Sequence, residues 1–141
     1  MKTKMFISIC LLLASITAQA ALPQGKWKVQ QVTIEKNTDG NTQTTVYNTA
    51  ADVQSYIPCP QEWDINAKNI VQRYPDGTET TANYSVDGNK LTVLTMIARQ
   101  SYQYSTSGND LILTIVYNYV NNLPTGKTER ITENRTINLK K

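Results

Sequence analysis

"SGNDLILTIVYNY", residues 107–119, opens on a Gly-Asn turn and continues as a run in which every second residue is apolar. Side chains of an extended strand point alternately to opposite faces. Leu111, Leu113, Ile115, Tyr117 and Tyr119 therefore share one face, while Thr114 and Asn118 lie on the other. Such a ribbon has one face for a core and one for water. In "TANYSV" Ala82, Tyr84 and Val86 share a face in the same way, and in "SYQYS" Tyr102 and Tyr104 do.

Outward from this ribbon, turn chemistry punctuates the chain at "NTDGN" (37–41), "PDGT" (75–78), "VDGN" (86–89), "TSGND" (106–110) and "LPTGK" (123–127). Asp-Gly, Gly-Asn and Pro-x-Gly supply the positive or preset φ angles of tight hairpins. The intervening runs are rich in Thr, Val, Ile and Tyr and have no helical period. They predict strands at about 26–36, 42–48, 61–66, 69–74, 79–86, 90–95, 100–106, 110–120 and 127–139. The segment "TAADVQSYIP" (49–58) lacks alternation and ends at a proline, so a short helical turn or lid belongs there. A meander with one apolar face must bury it, and rolling up also removes its edge strands. The expected fold is all-β, an antiparallel up-and-down barrel of about eight or nine strands.

The first strand changes phase. Trp27 and Val29 have one parity and Val32 and Ile34 the other, so an extra residue at Gln30-Gln31 predicts a β-bulge. The alternative leaves Val32 and Ile34 facing outward beneath the lid.

Residues 1–20, "MKTKMFISICLLLASITAQA", have a basic head (Lys2, Lys4), an apolar run and small residues at Ala18 and Ala20, the pattern of a cleaved signal peptide. The run is short for a permanent transmembrane anchor, and Cys10 lies inside it rather than after it, where a lipid anchor would need it. The remaining 21–141 forms one domain, expected to be secreted or periplasmic. Without Lys2 and Lys4 the fourteen basic residues become 12 against eleven acidic ones, and no basic block interleaved with aromatics remains. Nucleic acid is not an expected partner. Of the two cysteines only Cys59, between Pro58 and Pro60, is left, which excludes an intramolecular disulfide. It reads as a half-buried loop residue or, if exposed, as a reactive or intermolecular thiol.

An exported domain of this size that opens with Gly25-Lys26-Trp27 on a bent first strand and continues as hairpins resembles the lipocalin and calycin group, in particular the short lipocalin-like domains of exported bacterial proteins. "GKW", "YSVDGNKLTVL" and "SGNDLILTIVYNY" carry the likeness. The resemblance implies that Trp27 closes one end of the barrel and is crossed by a basic side chain from a late strand, with Gly25 making room for the chain. A register that sets Ile137 opposite Trp27 puts Arg135 on the indole, with Arg130 as the other candidate. The roles expected of Gly25, Trp27 and Arg135 are structural.

The chain has no histidine. That removes the usual general base near neutral pH, the Ser-His-Asp and Cys-His systems and the commonest transition-metal ligand. No catalytic residue, metal site or cofactor is expected. Asp39, Asp76, Asp87 and Asp110 sit in turns, where capping is their ordinary role. Tyr84, Tyr102, Tyr104, Tyr117 and Tyr119 could line a ligand cup or form a filled core. Glu133 could anchor a polar ligand group, pair with Arg135 near the closed end, or face water. Trp63 could cap the open mouth or sit in the core. The leading expectation is a non-enzymatic, exported lipocalin-like barrel binding a small apolar molecule. The alternative is a protein-interaction or inhibitor module with a filled barrel.

Overall fold

A computed structural model describes residues 22–141, so the expected leader, including Cys10, lies outside the described residues. The elements are β1 (Gly25–Thr38), β2 (Asn41–Tyr47), α1 (Ala50–Val53), β3 (Glu62–Ile65), β4 (Asn69–Arg73), β5 (Glu79–Asp87), β6 (Lys90–Leu94), β7 (Arg99–Ser107), β8 (Asp110–Asn122) and β9 (Thr128–Lys140). Each predicted strand is present with ends shifted by a residue or two, and the segment without alternation holds the one helix found among the described residues. Thr49 starts that helix by accepting a hydrogen bond from the Asp52 amide at 3.1 Å.

Strands β3 to β9 pair in sequence order, each antiparallel to the next, and β9 pairs back onto β1. Eight strands thus close a barrel, β1-β3-β4-β5-β6-β7-β8-β9, and β2 hangs outside it on β1. The topology follows from how β1 uses its edges. Its first part, Gly25–Lys28, pairs with β3; its later part, from Val32 to Thr38, pairs with β2; and β9 runs along the other edge.

The switch occurs at the predicted bulge. Val29 pairs with Leu139 and Gln31 with Asn138, leaving Gln30 as the extra residue. One inserted residue exchanges the faces of everything beyond it. Trp27 consequently points inward before the bulge, while Val32 and Ile34 are buried after it. The outward alternative for these two residues is therefore excluded.

At the end formed by the β3–β4, β5–β6 and β7–β8 turns, Trp27 is buried, sits opposite Trp63 on β3 and donates from Nε1 to the Pro23 carbonyl at 3.1 Å. Gly25 has φ +120°, and a Cβ there would stand 2.9 Å from Lys141 Cε. The cation over the indole is Lys141, with Nζ 5.6 Å from the ring centroid. The expected Arg135 does not reach it, and Arg130 is exposed. The reason is register: Ile137 pairs with Val32, not Trp27, so Arg135 stands opposite Ile34 and lies instead over Tyr117 at 4.3 Å.

Strands β1, β8 and β9 are longer than the barrel wall is high. Beyond Thr114, β8 pairs only with β9, so β2, β1, β9 and β8 continue as a four-stranded wing past the barrel mouth. The segment from α1 to Pro60 folds over the inner face of this wing, burying Ala50, Val53 and Cys59. The barrel itself is packed with Ile65, Ile70, Leu91, Leu111, Leu113 and Leu139, none more than 1% exposed.

Candidate functional site

The end opposite Trp27 is not filled. The β4–β5 and β6–β7 connections, the 57–60 segment and the base of the wing surround a cavity of about 240 Å³. Its apolar surface comes from Ile57, Pro58, Pro60, Ile97, Ile115 and Ile137, and its aromatic walls from Trp63, Tyr74, Tyr102 and Tyr117. Trp63 and Tyr102 meet edge to face, with centroids 5.7 Å apart and planes at 83°, a favoured aromatic geometry that fixes both rings. Ile97, which lines the cavity from the β6–β7 connection, is fully exposed, as is its neighbour Met96. Large apolar side chains held in water at a cavity mouth are unusual enough to suggest contact with something apolar.

The polar groups of the cup are mostly spoken for. Tyr102 donates its hydroxyl to Gln100 Oε1 at 3.0 Å, Gln100 Nε2 donates to the Tyr117 hydroxyl at 3.4 Å, and Thr80 donates to Gln72 Oε1 at 3.3 Å. Arg135 directs both Nε and Nη2 at one oxygen of Glu133, each at 2.6 Å. Glu133 is fully buried and also accepts from the Tyr56 hydroxyl. Burial pushes the Tyr102 phenol well above its ordinary range, and the bond to Glu133 does the same for Tyr56. Burial also pushes the Cys59 thiol up to about 11, slightly offset by the Arg135 charge. A buried thiol of this kind is inert rather than nucleophilic.

Of the five tyrosines expected to line a cup, the structure brings together Tyr102 and Tyr117. Tyr84 and Tyr104 lie toward the closed end, donating to the Asn66 and Gly88 carbonyls at 2.7 and 3.1 Å. Tyr119 is 40% exposed, because its part of β8 belongs to the wing and has no β7 beside it. Glu133 does not line the cavity; it pairs with Arg135, as one of the three expectations held, though at the mouth rather than the closed end. Trp63 is at once a core residue and a wall of the cup.

Sequence reasoning missed Tyr74, Gln72, Gln100 and Ile97 with its exposed neighbour Met96. The last carried a signal: "TMIA" (95–98) connects two strands without turn-forming residues and puts apolar groups where polar ones are ordinary. Among the described residues no group of three or more His, Cys, Asp or Glu converges to hold a metal ion. Asp76 instead caps its turn, accepting from the Thr78 amide and hydroxyl at 2.9 and 2.7 Å, which lowers its pKa. Compared with protein-family models, with curated proteins and with solved structures, the chain matches none of them.

Proposed function

We propose that the protein is an exported, non-enzymatic, lipocalin-like carrier that binds a small, mainly apolar molecule at the open end of its barrel. The observation that carries this reading is the cup of about 240 Å³, lined by aliphatic and aromatic side chains around a few fixed polar groups. That is the composition of ordinary small-molecule sites. The volume corresponds to about eight water-sized groups at ~30 Å³ each, which sets the scale of the occupant. The exposed Met96 and Ile97 give such a molecule an apolar surface to cross on its way in. Export rests on the leader pattern of residues 1–20.

Trp63 stands in the wall, so its emission reports occupancy. Titration with a panel of small apolar compounds is expected to shift tryptophan emission saturably for at least one of them. A panel without any saturable response would favour the protein-interaction reading, for which the same exposed rim would be the contact surface.

A further inference from the structure

We infer that the occupant of the cup is a short-chain or aryl carboxylate, held by the Arg135 guanidinium; this rests on the proposed ligand-binding role and specifies its chemistry. The argument is an account of unused hydrogen-bonding capacity. Guanidinium carries five N–H donors. In Arg135, which lines the cup, Nε and Nη2 are spent on a single Glu133 oxygen, and Nη1 has no partner among the described residues. The Tyr117 hydroxyl beside it accepts from Gln100 and donates to no described group. The Trp63 indole N–H also lacks an acceptor, but it is buried within the wall and presents no surface to the cup. Each side-chain acceptor near these donors already takes at least one hydrogen bond: Gln72 Oε1 from Thr80, Gln100 Oε1 from Tyr102, and Glu133 from Arg135 and Tyr56.

Donors are thus in surplus on the cup wall, and a ligand group that only accepts complements them. Charge favours an anion over a neutral acceptor. Glu133 is fully buried behind the guanidinium, whereas Arg135 reaches the cavity. Its positive charge acts on both Cys59 and Tyr102, favouring their ionised forms against the opposing effect of burial. A carboxylate matches the planar fork of guanidinium, and Ile57, Ile97, Ile115 and Ile137 receive an apolar body. The cavity of about 240 Å³ limits that body to a short alkyl chain or a single ring.

The test is calorimetric titration of the protein with octanoate, 1-octanol and octylammonium near neutral pH. Octanoate is expected to bind at least about tenfold more tightly than octanol, with octylammonium weakest. A charge-assisted hydrogen bond is worth about that factor or more. Removing Arg135 alone would strand a buried carboxylate, so the informative variant is the double substitution Arg135→Met with Glu133→Gln, its folding verified by circular dichroism. There the preference for octanoate is expected to vanish while octanol still binds. Octanol binding as tightly as octanoate, or a preference that survives the double substitution, overturns the carboxylate assignment and leaves the apolar cup intact. Absence of binding by all three probes overturns the assignment together with the ligand-binding role beneath it.

Discussion

A carboxylate cut off from water must be met by donors, and Glu133 is met by the guanidinium of Arg135 and the hydroxyl of Tyr56. Truncating Arg135 to Ala should therefore cost far more than a half-exposed arginine normally would, about 3–5 kcal/mol in urea denaturation, because it leaves an uncompensated buried charge. Cys59 makes a different prediction. In the unfolded chain its thiol ionises near the ordinary value of 9.0, whereas burial holds the proton on the folded form to about 11. The folded state binds more protons between these values, so this contribution is fully present below about pH 9 and is lost as pH rises toward about 11. Stability at about pH 10 should be about 1 kcal/mol lower than at about pH 8, and Cys59→Ala should remove that fall; equal pH slopes for the two proteins would refute the assignment. Residue roles were only partly legible in the sequence. Parity marked Tyr102 and Tyr117 as inward-facing, but it could not tell that Tyr84 and Tyr104 sit toward the filled end.

At the scale of elements the strands were legible because their turns and alternation are local properties. The phase change from Trp27 and Val29 to Val32 and Ile34 likewise exposed the bulge. What stayed hidden was register between distant strands. The alignment that matched Ile137 to Trp27 was five residues off along β1; the bulge accounts for one of these, and the other four come from where β9 meets β1, with Lys140 already opposite Lys28 before the bulge. The extra length of β8 and β9 hid the wing in the same way, since alternation continues past the barrel wall and gives Tyr119 an inward parity without an interior to enter. Deleting Gln30 tests the bulge directly. It should rotate either Trp27 or the Val32–Ile34 pair toward water, with a loss at least as large as the about 3–5 kcal/mol of truncating a buried tryptophan. Gln30→Ala, which keeps the count, should stay within about 0.5 kcal/mol. Red-shifted emission in the deletion but not the substitution is the expected signature.

For the whole molecule, closure rests on β9 returning to β1 across nearly the full length of the described chain. Closing so long a loop delays the contacts that reward it, so refolding followed by tryptophan fluorescence should take milliseconds to seconds rather than microseconds. Removing residues 137–141 takes away Ile137, Leu139 and the Lys141 ammonium over Trp27, and should abolish the cooperative unfolding transition. A truncated chain that still melts sharply would show that the seam is dispensable.

Strand β2 bonds to a neighbour on one side only among the described residues, and its sequence NTQTTVY has no charge, no proline and high β-propensity. Among the described residues the wing thus keeps two open templates outboard of the cylinder, β8 beyond Thr114 on one flank and this uncharged strip on the other. In concentrated samples this strip should seed self-association, and Thr44→Lys, which puts an ammonium on the exposed flank, should raise the protein concentration at which light scattering first appears.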